Sequence, residues 1–315
     1  MTVQQLILES IGSFYVGGQR ISVEGRPEQH LRLTRDLPAY VHDPNGTYAI
    51  DHAYVSYMIP ATSTRVPVVF VHGGGLTGAM WETTPDGRPG WLTSFLRAGH
   101  PCYIIDNVER GRAGWCSVPG QWEGEAILRN EEESWNVFRI GPVADYARRQ
   151  PFPGSQFPVA ALEESTKQSV PRWITNNNRA VAALNAAVEK IGRCVLVAHS
   201  HGGGISAHVA MSNPNLVAGA VLLEPHGLPS IEHGATQSPQ AIVVGDNIDK
   251  SDLYKSLVSV WTNYVDAAAQ HGSQAEIIAL PSLGLVGNSH NMMMDLNSDA
   301  VAELVQGWIS VNIKQ

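Results

Sequence analysis

The residues best placed to do chemistry lie in three short stretches. Ala198-His199-Ser200-His201-Gly202 sits between an apolar run, CVLVA, and a stretch of helical character. A serine at such a strand-to-helix reversal stands at the tip of a tight, strained turn, where its hydroxyl can act as a nucleophile. The turn brings strand and helix backbones together, so the positions two before and two after the serine must be small. Ala198 and Gly202 meet that demand, with Ala where the pattern G-x-S-x-G has its first Gly. A serine hydroxyl needs a base within hydrogen-bond reach, and the order along such chains is serine, acid, histidine. His290, in Gly287-Asn288-Ser289-His290, follows the last strand-like run and precedes the last helical stretch, where a loop folds back over the strand ends. His201 adjoins the serine and faces away, His208 falls inside the following helix, His226 and His233 follow the next strand, and His271 sits in a polar turn. For the orienting acid, Glu224 and Asp246 both end strand-like runs between Ser200 and His290, and spacing does not separate them. Both stand at strand carboxyl ends, where α/β sheets place their ligand crevice.

The third stretch is His72-Gly73-Gly74-Gly75-Leu76-Thr77-Gly78. Backbone N–H groups in such a loop, together with that of the residue after the nucleophile, hold a developing oxyanion. Gly74 and His201 are assigned as the donors, with Gly75 as the alternative to Gly74. The same loop spells G-x-G-x-x-G through Gly73, Gly75 and Gly78, and Asp106 ends the next strand, a match to a dinucleotide fingerprint. Two strand-like runs precede the loop, however, whereas the fingerprint opens its βαβ unit. Dinucleotide binding would also leave Ser200 and His290 without a task. A nucleotide-binding oxidoreductase is therefore the remote alternative, and Asp106 is expected to pin the loop after its strand. His199-x-His201 lacks a nearby third metal ligand. No cofactor and no metal is expected.

Positioning these groups requires strand ends gathered along one edge of a sheet. Eight runs read as strands: Ser13–Ser22, Ala53–Ile59, Val66–His72, Cys102–Asp106, Cys194–His199, Val217–Glu224, Ala241–Gly245 and Glu276–Leu280. Helical stretches at 91–99, 179–192, 201–212, 251–270 and 298–313 alternate with them, which implies crossovers and a mostly parallel sheet flanked by helices. The first two runs lack a helix between them, so that edge is expected to be antiparallel. Residues 117–173 break the alternation with prolines and aromatic residues. They are read as a lid inserted into a single domain spanning 1–315, since long irregular connections are commonly functional.

Composition narrows the function classes. The chain has 315 residues, 43% apolar and 16% charged, with 21 Lys plus Arg against 29 Asp plus Glu and a net charge of −8. An acidic chain without a basic block is a poor nucleic-acid binder, because phosphate contacts need clustered cations. No apolar run reaches the ~18 residues of a membrane span. No export signal is visible at the start, which points to a cytoplasmic protein, or a secreted or periplasmic one if the chain is a processed form. Three cysteines, Cys102, Cys116 and Cys194, are too few for a disulfide framework.

Four segments, VHGGGLTGAMWETTPDGRPGW, AHSHGG, LLEPHG and GNSHNMMMD, give the chain a resemblance to α/β-hydrolases, and more narrowly to a small group of microbial carboxylesterases. In that group the acid is a Glu after the sixth strand. The resemblance therefore implies an α/β-hydrolase fold with Ser200 as nucleophile, Glu224 as acid and His290 as base. Related members can carry two adjacent cysteines where this chain has Gly74 and Gly75, so the oxyanion loop here must be held without a vicinal disulfide. The expected reaction is acyl transfer from a carboxylic ester to water, with lactone opening or transfer to another acceptor as alternatives on the same residues. A non-catalytic receptor built on the same pocket is the rival from another class. The expected partners are a small ester or lactone and, at most, a second copy of the chain in a homodimer. Leu76, Trp81, Trp122, Trp135, Phe138 and Met292 are expected to line an apolar substrate pocket.

Overall fold

The computed structural model describes residues 5–231 and 238–314. Its strands are β1 (Leu8–Val23), β2 (Gln29–Leu31), β3 (Tyr40–His42), β4 (Gly46–Pro60), β5 (Val68–Val71), β6 (Cys102–Asp106), β7 (Cys194–His199), β8 (Val217–Leu223), β9 (Gln240–Val244) and β10 (Ala275–Ala279). Its helices are α1 (Trp91–Arg97), α2 (Glu131–Val137), α3 (Leu162–Lys167), α4 (Asn177–Ile191), α5 (His201–Ser212), α6 (Asp252–Gln270) and α7 (Ser298–Asn312). Eight strands form one sheet in the order β1-β4-β6-β5-β7-β8-β9-β10. β4 runs antiparallel to β1 and β6, and every pairing from β6 to β10 is parallel. The mostly parallel, helix-flanked sheet is the one the strand-like runs imply.

The central strands are buried on both faces, as their unbroken apolar runs require. In β5, Val68 and Phe70 enter one core while Val69 and Val71 enter the other. α1 and α7 cover the first face with Trp91, Phe95, Val301 and Val305. α4, α5 and α6 cover the second, where Ala180, Ala183, Leu184, Ala187 and Val188 form the helical stripe of α4. β1 and β4 extend beyond their apolar stretches into a ribbon paired from Leu8↔Pro60 to Val23↔Gly46. Much of that ribbon faces solvent, so its outer parts carry no apolar run to announce them. The exposed pair β2–β3 is likewise silent in the sequence.

Residues 117–173 connect β6 to α4 through the short helices α2 and α3 and two 3-10 turns. They build a small core of their own from Trp135, Phe138, Ile140, Phe157 and Leu162. All three cysteines are free. Among the described residues no helix is long and apolar enough to cross a membrane.

Candidate active site

Ser200 sits where β7 turns into α5, with φ 53° and ψ −119°, a left-handed conformation that a non-glycine residue adopts only under constraint. Two backbone bonds impose it. Ser200 N–H donates to Leu223 O at 2.9 Å, and His226 N–H donates to Ser200 O at 2.9 Å. Both partners flank Glu224, so the parallel pairing of β7 with β8 brings the serine and that carboxylate to one sheet edge. The turn leaves no room at Gly202, where a methyl group would run into the His72 carbonyl oxygen. Gly202→Ala is therefore expected to destabilise the fold by about 1–3 kcal/mol. Gly307→Ala, in an open position on α7, should be neutral or stabilising. Thermal unfolding of the two variants checks the contrast.

Glu224 and His290 are joined directly. Nδ1 of His290 lies 2.6 Å from Glu224 Oε2, with the two residues 2% and 0% exposed. A carboxylate only accepts, so Nδ1 carries the proton and Nε2 keeps its lone pair. The His290 ring lies among His199, Tyr254, His226 and Phe138, at centroid distances of 4.4, 5.2, 5.6 and 5.8 Å. His199, next to the serine, donates from Nε2 to the His290 carbonyl at 3.0 Å. Among the described residues no hydrogen bond joins Ser200 Oγ to His290. Such bonds commonly tighten only around substrate. Burial pulls the His290 pKa down, as does the charge of Arg139, against the raising effect of Glu224. The imidazole is thereby kept neutral and able to accept a proton.

Arg139, from the 117–173 segment, is the site residue that the sequence does not reveal. It is 1% exposed and donates through both terminal nitrogens to the two oxygens of Glu224, with Nη1 to Oε2 at 2.8 Å. Its Nε donates to Asp246 O at 2.9 Å, and its guanidinium lies 3.9 Å over the Tyr254 ring. Gly245 N–H gives Glu224 a further bond at 2.8 Å. Burial alone would push the Glu224 carboxyl up, but Arg139 and His290 outweigh it and hold the pKa well below the usual range. The adjoining Phe138 carbonyl accepts from His290 N–H at 2.9 Å. Two consecutive residues of one segment thus grip both the acid and the histidine loop.

The other acid candidate is turned elsewhere. Asp246 accepts from Asn247 N–H at 2.6 Å and from Gly287 N–H at 2.7 Å, bracing the loop that carries His290 without a bond to its ring. Asp106 accepts from Gly78 N–H at 2.7 Å and from Arg112 N–H and Nε at 3.0 and 2.8 Å. It ties the glycine loop to its own strand. His201 turns its ring to Asn177 Oδ1 at 2.6 Å, and His233 lies outside the described residues.

Among the described residues the N–H groups of Gly74 and His201 give no hydrogen bond to the protein, and both stand beside the serine turn. Gly75 has φ 75°, and its carbonyl is held by Val170 N–H at 2.8 Å. The 117–173 segment thereby braces the loop where related chains can have a disulfide. A narrow cleft of about 50 Å³ opens beside it, lined by Gly74, Ile127, Arg129, Phe138, Val170 and Arg172. A roomier one of about 340 Å³ lies beyond His201 and His226.

Of the six side chains expected to line the substrate pocket, only Phe138 borders the narrow cleft. Leu76, Trp81 and Met292 are packed in the core beneath the sheet with Phe70 and Trp91. Trp135 fills the centre of the 117–173 segment and donates to Pro142 O at 3.0 Å. Trp122 packs edge-on against Trp173 and donates to Asp51 at 2.8 Å. Trp81 and Trp135 thereby gain fuller burial than a solvent-accessible wall would offer, while Trp122 stays half-buried.

A profile of the alpha/beta hydrolase family matches residues 68–276. The chain is similar to the probable secreted lipase phiG of Fungal sp. (strain ATCC 74256), with 28% identity over 326 residues that cover 84% of this chain and 87% of that one. It is also similar to a solved structure of a novel bacterial esterase, with 33% identity, 98% of each chain covered and a TM-score of 0.87. The family match runs from β5 to β10 and takes in the glycine loop, the serine turn and Glu224. The chain belongs to the alpha/beta hydrolase family.

Proposed function

We propose that this protein is a serine hydrolase that cleaves carboxylic esters through an acyl-enzyme on Ser200, with His290 as base and Glu224 as its orienting acid. The observation that carries this reading is the buried 2.6 Å bond from His290 Nδ1 to Glu224 at the sheet edge where Ser200 sits in its strained turn. The likeness to a lipase and to an esterase supports the same reaction class.

In this reading His290 Nε2 takes the Ser200 proton as Oγ attacks the ester carbonyl. The oxyanion is met by the N–H groups of Gly74 and His201. The tetrahedral adduct collapses as His290 returns the proton to the departing alcohol. Water, deprotonated by the same histidine, then releases the acid and restores Ser200. Glu224 stays ionised throughout and stabilises the imidazolium. Residues 117–173 act as the wall of the site as well as its cover, since Arg139 and Phe138 hold the catalytic pair. The narrow cleft falls below the ~300–1,000 Å³ of drug-sized pockets, which favours a short group on that side.

The test is a panel of carboxylic esters and lactones of increasing size, with acid and alcohol products quantified. Ester turnover supports the proposal. A folded protein that turns over lactones alone, or neither class, overturns it.

Arg139 supplies a pH prediction. His290 must be neutral to act, so kcat/KM falls as the pH drops through its pKa, and that limb should lie below the ordinary histidine value of about 6.5. Arg139 helps to depress that pKa. Arg139→Met should therefore move the limb to higher pH while lowering kcat by about 10²-fold, the cost of loosened positioning. A pH–rate profile with an unmoved limb would show that Arg139 serves packing alone.

A further inference from the structure

Four arginines surround the catalytic groups, and three have carboxylate partners. Arg110 pairs with Glu109, Arg129 with Glu133 and Arg139 with Glu224. Among the described residues the guanidinium of Arg172 has neither a hydrogen bond nor an ion pair. The chain does not lack acids, with 29 Asp plus Glu against 21 Lys plus Arg. Glu109, the carboxylate whose charge reaches Arg172, is already engaged by Arg110, Trp173 N–H and Asn176. A half-buried cation with no ion-pair or hydrogen-bond partner is costly. This one stands in the cleft wall, so close to the oxyanion loop that a methyl group at Gly74 would run into it. Its charge is felt at the site: after burial it is the next cause lowering the pKa of His201, and it adds to burial and His290 in lowering that of His226.

We propose that Arg172 forms an anion subsite beside the oxyanion loop, and that the preferred substrates are esters bearing a carboxylate near the scissile bond. Arg129 in the same cleft wall is already neutralised by Glu133, which also lines the cleft, so the free charge there is that of Arg172. The proposal rests on the hydrolase reading above. A guanidinium presents a planar fork that matches the two oxygens of a carboxylate, and the narrow cleft suits a group of that size. Arg172 also reconciles two negative charges. A substrate carboxylate beside a developing oxyanion raises the barrier unless a cation stands next to both, so without Arg172 the carboxylate becomes a handicap.

Two matched arms test the idea. In one the carboxylate is on the acyl side, with p-nitrophenyl hemisuccinate against p-nitrophenyl butyrate. In the other it is on the alcohol side, with 4-acetoxybenzoate against 4-methylphenyl acetate. In at least one arm kcat/KM should favour the carboxylate-bearing ester by about tenfold to a hundredfold, the range of a charge-assisted hydrogen bond, and the favoured arm locates the subsite. Arg172→Met should bring the ratio to one or below, and Arg172→Lys should retain part of it. Turnover with neutral esters preferred or equal in both arms overturns the subsite and leaves the hydrolase reading standing. The subsite is equally overturned if wild type shows the preference and folded Arg172→Met keeps it. No turnover of any of the four esters overturns both.

Discussion

Ser200→Ala is expected to lower kcat by about 10⁴–10⁶-fold while leaving the fold intact. The hydroxyl makes no hydrogen bond among the described residues, so its removal breaks nothing that holds the turn. The turn is maintained by backbone bonds to Leu223 and His226, which alanine preserves. His290→Ala should cost a similar factor, and the double variant should be little worse than either single one. Nucleophile and base work as a unit, and removing one already disables the other. Steady-state rates with an ester that wild type turns over, together with thermal unfolding curves, check both statements. Losses that multiply in the double variant would show that the two residues act independently.

The second large effect separates Glu224 from Asp246. Glu224→Gln should lower kcat by about 10³–10⁴-fold, because the neutral amide neither favours the productive tautomer nor stabilises the imidazolium. Glutamine keeps the size of the side chain, which matters here. Glutamine and alanine both remove the counter-charge of the buried Arg139, a loss of about 3–5 kcal/mol, but glutamine keeps one acceptor oxygen for the guanidinium and fills the same space. Alanine leaves a cavity as well, so unfolding curves accompany the rates. Asp246→Asn should change kcat by less than about tenfold and stability by about 1 kcal/mol, since it weakens only the braces to Asn247 and Gly287. Rates for the two variants under one set of conditions decide the matter. An inactive Asp246→Asn beside an active Glu224→Gln would overturn the assignment of the acid.

The ambiguity between these two carboxylates shows what sequence can and cannot carry. Buried strands announce themselves, because a strand covered on both faces needs an unbroken apolar run, as in VVFV and CVLVAH. The serine turn is legible because small residues are required on either side of it. The partner of an acid is not legible. Glu224 and Asp246 both end strands, and what distinguishes them is Arg139, 85 residues away in a segment with no regular pattern. Nothing in the composition around Arg139 marks it as the guanidinium that enters the core. The misplaced pocket residues have a related cause. Leu76, Trp81, Trp135 and Met292 suit a substrate pocket on size and apolarity, yet the same properties suit a core position, and packing decides between the two. Phe138 differs because its backbone is bonded to the histidine loop, which only a folded chain displays.

The most direct measurement is covalent labelling with a fluorophosphonate followed by peptide mapping. The account predicts one adduct on Ser200, formed fast by wild type and lost in His290→Ala. A folded protein that stays unlabelled, or that is labelled at another serine, would contradict it.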